Sequence, residues 1–124
     1  MTDPVSDLVR DIAAGAGSGD SVYADNVQLD ATVPGWRFHR EGAAEVREAL
    51  RDWYADPGAF EEIHRTALPD GELLTFTLTW TEDGVRHAAH QAHVLGIEGD
   101  RIARHEVWCG GRWPGDLLAE MVGA

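Results

Sequence analysis

The sequence predicts an α+β fold in which helices cover one face of a curved β-sheet, and three observations lead to that class. Apolar residues recur at helical spacing in two separate segments. Apolar and polar residues alternate elsewhere, as they do in half-buried strands. The turns PDG, EDG and EGD each place Gly beside Asp and divide the second half of the chain into successive strands. The order helix, strand, helix and antiparallel strands is typical of α+β domains.

Three helices are expected. The first begins at Asp3 and Pro4, because Asp is a favourable N-cap and Pro suits the first turn, and it ends at the glycines of GAGSGD. Its apolar face would consist of Val5, Leu8, Val9 and Ile12. The second runs from Gly42 to Asp56, where Pro57 disfavours helical angles in the preceding residue. The segment WPGDLLAEM predicts a short closing helix, and a helical turn is expected at Ser21–Asp25.

The remaining segments are expected to be strands. VQLDATV alternates strictly, with Val27, Leu29, Ala31 and Val33 on one side. Four further strands are predicted at Phe60–Leu68, Leu73–Thr81, Arg86–Ile97 and Arg101–Cys109. On the last strand, the less charged side should face inward, which places Ala103, His105, Val107 and Cys109 inside and Ile102, Arg104, Glu106 and Trp108 outside. A large apolar Trp108 on the outer face suits a subunit interface.

The amino-acid composition excludes or disfavours several classes of function and partner. At 124 residues the chain is expected to form one domain, residues 1–124. Its ten basic residues are all Arg, and against 22 acidic residues they leave a net charge of −12, which disfavours nucleic acid or an anionic membrane as a partner. The absence of Lys excludes Schiff-base catalysis, and one cysteine excludes a cysteine-based zinc site. No apolar run is long enough for a signal or a membrane span, so we expect a cytoplasmic protein.

The stretch HAAHQAH spaces three histidines at positions 87, 90 and 93. The segment is predicted to be extended, and side chains alternate faces along a strand, so His87 and His93 lie on one face and His90 on the other. His87 and His93 would be about 20 Å apart at ~3.3 Å per residue. The three cannot bind one ion, and we expect no metal site.

His93 and His105 are the strongest candidates for chemistry, because both belong to the face predicted to be concave. Their relative position depends on the register of the last hairpin. A two-residue turn at Gly99–Asp100 puts His93 opposite Glu106, whereas a three-residue turn or a bulge brings the two histidines together. Either imidazole, desolvated in an apolar pocket, could transfer protons near neutral pH.

The motifs VYADNVQLDATVPGWRF and GDRIARHEVWCGGRW, with the helix and strands between them, resemble the nuclear transport factor 2-like, or SnoaL-like, proteins over roughly Val5–Trp113. This superfamily includes ketosteroid isomerase, scytalone dehydratase and polyketide cyclases. The resemblance implies a cone-shaped sheet around an apolar pocket and a homodimer formed through the outer sheet face.

The resemblance also implies that Asp30, counted back from Pro34-Gly35, corresponds to the isomerase's catalytic aspartate, whereas counting forward from Tyr23-Ala24-Asp25 lands on Ala31. Alternation puts Asp30 outward unless a bulge near the strand end turns it in. His93 would correspond to the oxyanion-binding aspartate, and the helix tyrosine of the isomerase has no counterpart.

Two functions are expected. The first is a cofactor-free isomerase, cyclase or dehydratase that acts on a hydrophobic small molecule, with His93, His105 and Asp30 as catalytic residues. The second is a non-catalytic dimeric protein that binds a small ligand. In both, the expected pocket residues are Trp36, Phe38, Trp53, Phe76, Gln91, Val107 and Cys109. The loop CGGRWP is expected to close over the pocket mouth.

Overall fold

A computed structural model describes residues 3–16 and 22–122 of the chain. The described elements are the helices α1 (Pro4–Ala14), α2 (Ala43–Trp53) and α3 (Gly115–Val122), and the strands β1 (Tyr23–Val33), β2 (Trp36–Glu41), β3 (Gly58–Leu68), β4 (Gly71–Glu82), β5 (Val85–Glu98), β6 (Arg101–Cys109) and β7 (Trp113–Pro114).

The strands form one curved, unclosed sheet in the order β2-β1-β6-β5-β4-β3, with the short β7 paired to β5. Neighbouring strands are antiparallel except for β1 and β6, which run parallel, so the sheet is mixed. The inner face of the sheet and the apolar sides of α1 and α2 enclose the core. The α+β class predicted from the element order is confirmed.

Local signals in the sequence fix both ends of α1. The Asp3 carboxylate accepts hydrogen bonds from the amides of Val5 and Ser6, and Gly15 ends the helix in the left-handed conformation. The predicted second helix extends three residues too far at its C-terminal end, because α2 ends at Trp53. Tyr54 leaves the helical path there, while its amide still donates to the Leu50 carbonyl, and its side chain is buried.

Two other predictions of secondary structure are wrong, and one strand was not predicted. Tyr23–Asp25 belongs to β1 and not to a helical turn, while Ser21 lies outside the described residues. The strand Trp36–Glu41 was not predicted, because it is an edge strand with little buried surface and therefore lacks alternation. Trp113 and Pro114 pair with β5, so the closing helix begins only at Gly115.

A bulge in β6 decides which side chains face the core. The turn at Gly99–Asp100 has two residues, but the pairing of β5 with β6 shifts between Gly96 and Ile97, leaving Ala103 as the extra residue. Ile102 is therefore fully buried and Ala103 only half-buried, and the prediction for these two residues is wrong. Beyond the bulge the predicted alternation is confirmed, since His105, Val107 and Cys109 are buried.

The outer face of the sheet carries polar and small side chains around the exposed Trp108, which is 47% exposed. The placement of Trp108 on the outside agrees with the prediction, and dimer formation through this face stays a prediction. No helix within residues 3–16 and 22–122 is long and apolar enough to cross a membrane.

The close approach of Gly71 to β5 generates a test of the fold. A Cβ at position 71 would lie 1.7 Å from the carbonyl oxygen of Leu95, so Gly71→Ala must displace backbone. We expect Gly71→Ala to lower the free energy of unfolding by about 1–3 kcal/mol in urea denaturation. Gly110→Ala is the control, because its Cβ would be 3.5 Å from the nearest atom. Equal stability of the two variants would contradict this packing.

Candidate functional site

Two buried histidines meet in the centre of the inner face. His93 comes from β5 and His105 from β6, and both are fully buried. The Nδ1 atom of His93 lies 2.6 Å from the Nε2 atom of His105. Of the arrangements that the sequence left open for this hairpin, the one with a bulge forms. It pairs His93 with Val107, so His105 is the diagonal neighbour of His93.

The histidine pair is the middle of a longer set of hydrogen bonds, which we call the buried polar chain. At one end, the Tyr23 hydroxyl lies 2.7 Å from Nδ1 of His105. At the other end, the Oε1 atom of Gln91 lies 2.9 Å from Nε2 of His93 and also accepts a hydrogen bond from the Tyr54 hydroxyl. The chain consists of Tyr23, His105, His93, Gln91 and Tyr54.

The acceptor at one end of the chain decides where each proton lies. The Gln91 oxygen can only accept, so Nε2 of His93 carries the proton. Nδ1 of the neutral His93 ring is then bare and accepts from Nε2–H of His105. Nδ1 of His105 is bare in turn and accepts from the Tyr23 hydroxyl. Every hydrogen bond from Tyr23 to Gln91 therefore points in the same direction.

Burial keeps this chain uncharged. Desolvation, reinforced by the neighbouring His105, holds the pKa of His93 well below its usual 6.5. Desolvation lowers the pKa of His105 to about 3. Burial also raises the pKa of the Tyr54 hydroxyl well above 10.0, with smaller contributions from Cys109 and Tyr23. Near neutral pH, both rings are neutral and the Tyr54 hydroxyl keeps its proton.

A pocket of about 130 Å³ adjoins the chain between the end of α2 and the strands β4 and β5. Tyr54 and Gln91 line it and are also members of the buried polar chain. Its other apolar and aromatic lining comes from Trp53, Ala55, Leu78, Trp80 and Ala89, and its charged lining from Asp52, Asp56, Glu82 and Arg112. The pocket therefore has an apolar body, charged groups and two polar side chains connected to the histidines.

The charged residue Arg112 connects the loop CGGRWP to this pocket. Its guanidinium forms an ion pair with Glu82 and lies 5.0 Å from the ring centroid of Trp80. Trp113 of the same loop lies elsewhere and packs edge-on against His90. Thus Arg112, and not Trp113, is the loop residue that lines the pocket, and closure of the loop stays a prediction.

The predicted site residues divide into two groups. Several lie at the site: His93 and His105 form the pair, Gln91 joins the pair to the pocket, and the Phe76 ring lies 5.0 Å from the His93 ring. Trp53 lines the pocket. Val107 is buried in the core, and the Cys109 sulfur lies 3.5 Å from the Gln91 amide nitrogen.

The structure does not bring the other predicted residues to this site. Asp30 lies on the opposite side of β1, where Arg37 donates to both carboxylate oxygens at 2.9 and 2.6 Å and holds the pKa of Asp30 below its usual value. Trp36 is 70% exposed on the edge strand. Phe38 packs edge-on against Trp53 at 5.8 Å without lining the pocket. Strand alternation alone had placed Asp30 outward, and no bulge turns it in.

Sequence reasoning missed the roles of both tyrosines. Tyr54 was placed only in the predicted second helix, because nothing local indicates that its hydroxyl reaches Gln91 across the core. Tyr23 was assigned to a helical turn and given no role. A signal was present for Tyr23, since a buried histidine at position 105 needs partners for both ring nitrogens. Among the described residues, no group of three or more His, Cys, Asp or Glu side chains is arranged to hold a metal ion.

Solved structures resemble this one over most of the chain. SalBIII, an epoxide hydrolase/cyclase-like enzyme of pyran ring formation in the polyether salinomycin, has a TM-score of 0.67 at 18% identity, covering 86% of this chain and 88% of that chain. A hypothetical protein from Catenulispora acidiphila with a ketosteroid isomerase-like fold, in complex with trimethylamine, has a TM-score of 0.64 at 12% identity over 89% and 88% of the two chains. An NTF2-like protein of unknown function from Cytophaga hutchinsonii has a TM-score of 0.55 at 9% identity over 86% and 96%.

No family model matches the sequence, and no curated protein matches it significantly. Identities this low establish the fold and leave the activity open. The chain has the nuclear transport factor 2-like cone fold that its motifs resemble.

The neutral histidine pair makes stability depend on pH. In the unfolded chain each imidazole binds a proton near pH 6.5, whereas His105 in the folded protein binds one only near about 3 and His93 binds one well below 6.5. The unfolded state therefore holds more protons in this window, and the free energy of unfolding falls as the pH falls. The slope approaches about 1.4 kcal/mol per pH unit for each histidine.

We expect urea denaturation to detect this loss of stability between about pH 6.5 and pH 5, above the range in which carboxylates are protonated. His93→Leu/His105→Leu should flatten the slope, and His39→Asn, which changes an exposed imidazole, should leave it unchanged. A wild-type stability that does not vary in this window would contradict the neutral pair.

Proposed function

We propose that this protein binds a small apolar molecule that carries a carbonyl oxygen and catalyses proton transfer on it without a cofactor. The observation that carries this proposal is that Tyr54 and Gln91 both line the pocket and belong to the buried polar chain. A ligand in the pocket would thus contact groups whose hydrogen bonds are organised by the two histidines. The isomerases, cyclases and dehydratases expected from the sequence share one step, the removal of a proton beside a carbonyl.

Tyr54 is the proposed donor to the ligand oxygen. The Oε1 atom of Gln91 accepts from both Tyr54 and His93. When the Tyr54 hydroxyl turns to a ligand, Gln91 keeps the hydrogen bond from His93, so no buried acceptor loses its last partner. A hydroxyl that keeps its proton is suited to polarise a carbonyl and to stabilise the negative charge that develops there.

A carboxylate at the same pocket is the proposed base. Asp52 and Asp56 line the pocket, and neither forms an ion pair with another residue of the described part of the chain. Asp56 is the better candidate because it is half-buried, whereas Asp52 is exposed. In the proposed step, Asp56 takes a proton from the carbon beside the carbonyl, and the electron pair moves to the oxygen that Tyr54 holds. Return of the proton to a different atom completes an isomerisation.

The volume of the pocket limits the size of the ligand. A dry cavity of about 150 Å³ accommodates benzene in other proteins, and this pocket is about 130 Å³. The part of the ligand that enters the pocket is therefore about the size of one six-membered ring. Cyclohexanone has this size, an apolar body and a carbonyl, and is a suitable probe.

The second candidate function is a non-catalytic binding protein of the same fold. It is favoured by the full internal hydrogen bonding of His93 and His105, neither of which lines the pocket. In this alternative the buried polar chain only stabilises the pocket wall.

Deuterium incorporation at the α-carbons of cyclohexanone, followed by NMR in deuterated buffer, distinguishes the two functions. We expect the wild type to accelerate exchange above the protein-free rate, and Tyr54→Phe and Asp56→Asn each to slow it by roughly tenfold or more, because each removes one partner of the proton transfer. His39→Asn serves as the control outside the site.

Each possible result of this experiment supports one of the two functions or excludes a proposed role. If cyclohexanone changes the tryptophan fluorescence, and therefore binds, but its exchange is not accelerated, the catalytic function is overturned and the binding protein is favoured. Exchange that is unaffected by Tyr54→Phe would exclude Tyr54 as the donor. Absence of both binding and exchange would contradict the pocket as a site for such ligands.

A further inference from the structure

We infer that the pocket contains a subsite for an organic cation, formed by the ring of Trp80 and the carboxylate of Glu82. The ligand of the proposed function would then be a ring that carries a positively charged amine as well as a carbonyl. The location of this ligand rests on the proposed function, because the subsite belongs to the same pocket. The preference for a positive charge can be measured by binding alone, without turnover.

The charges around the pocket favour a cation. The carboxylates of Asp52, Asp56 and Glu82 line it, against the guanidinium of Arg112. The chain as a whole has a net charge of −12. The field in the pocket therefore attracts a positively charged group and repels a carboxylate or a phosphate.

A cation of the protein itself shows where such a group binds. The guanidinium of Arg112 lies 5.0 Å from the ring centroid of Trp80 and forms an ion pair with Glu82. An aromatic face beside a carboxylate also attracts ammonium groups of ligands, because the ring quadrupole and the negative charge act together. A cation position thus exists at this pocket, and a side chain of the loop CGGRWP occupies it.

Glu82 is held in place independently of Arg112. The indole Nε1 of Trp80 donates to Oε1 of Glu82 at 3.3 Å, and the hydrogen bonds from Trp80 and Arg112 hold the pKa of Glu82 below its usual value. The ring of His87 stacks on Trp80 at a centroid distance of 5.6 Å. Strands β4 and β5 carry these three residues, so the subsite persists when Arg112 moves away.

Displacement of Arg112 by a ligand has a low cost. Its side chain is 46% exposed, and ion pairs between exposed side chains contribute little to stability. Rotation of this long side chain into solvent frees Trp80 and Glu82 without a change in the strands. A ligand whose ring fills the apolar body of the pocket also gains from burial of that ring, which the guanidinium does not.

Three compounds with one six-membered ring test the inference by isothermal titration calorimetry at pH 7. Cyclohexylammonium is a cation, cyclohexanol is neutral and cyclohexanecarboxylate is an anion, so the charge is the main difference between them. We expect the Kd of cyclohexylammonium to be roughly tenfold lower than that of cyclohexanol, because cation–π and ion-pair attraction add. Cyclohexanecarboxylate should bind most weakly.

Two variants with matched controls locate the subsite. Glu82→Gln should remove most of the preference for the cation, whereas Glu61→Gln, which breaks an ion pair with Arg86 outside the pocket, should retain it at the same net charge. Arg112→Gln should strengthen the binding of cyclohexylammonium roughly threefold or more, because the guanidinium no longer competes for the subsite. Arg86→Gln should leave that binding unchanged.

Equal affinity for cyclohexylammonium and cyclohexanol, or a preference that survives Glu82→Gln, would overturn the inference. Weaker binding of cyclohexylammonium to Arg112→Gln than to the wild type would also overturn it. If the cation is preferred but exchange of cyclohexanone is not accelerated, the catalytic function fails and the subsite stands. If exchange is accelerated and the cation is not preferred, the proposed function stands and the subsite fails.

Discussion

The hydrogen bond between His93 and His105 is the constraint on which the rest of this structure depends. Two imidazoles without any solvent exposure are tolerated in an apolar core only when they are neutral and each ring nitrogen has a partner. One shared hydrogen bond satisfies two of the four nitrogens. The other two need one donor and one acceptor, and Tyr23 and Gln91 supply them. The remaining features of the site follow from this requirement.

The backbone adapts to the pair at two places. The bulge at Ala103 changes the register of the last hairpin so that His105 faces inward beside His93. The end of α2 at Trp53 releases Tyr54 into the core, where its hydroxyl reaches Gln91. As a result, the same few side chains fill the centre of the cone and form one wall of its pocket. Stability and the properties of the pocket are therefore coupled through the buried polar chain.

Local signals account for most of what could be predicted. Asp3 and Gly15 define the ends of α1 because caps depend on neighbouring backbone alone. Alternation assigned His93, His105, Val107 and Cys109 to the inner face, since the period of a strand does not depend on its partners. The edge strand β2 was not predicted, because an exposed strand shows no alternation of apolar and polar residues.

The candidate site was only half predictable for a physical reason. Which face His93 occupies is a local property, but its contact with His105 depends on a bulge that pairing across two strands selects. Tyr23 and Tyr54 are separated from their partners by 82 and 37 residues, and no spacing in the sequence encodes those contacts. Asp30 illustrates the opposite case, in which a motif resemblance suggested a catalytic role and alternation correctly indicated the outer side, where Arg37 binds it.

The most direct test of the central claim is an NMR measurement of the scalar coupling across the hydrogen bond between the two rings, in uniformly ¹⁵N-labelled protein. We expect one proton, bonded to Nε2 of His105, to correlate with Nδ1 of His93, and both rings to remain neutral on acidification until the protein unfolds. Absence of that correlation, together with titration of both rings near the ordinary pKa of 6.5, would contradict the account.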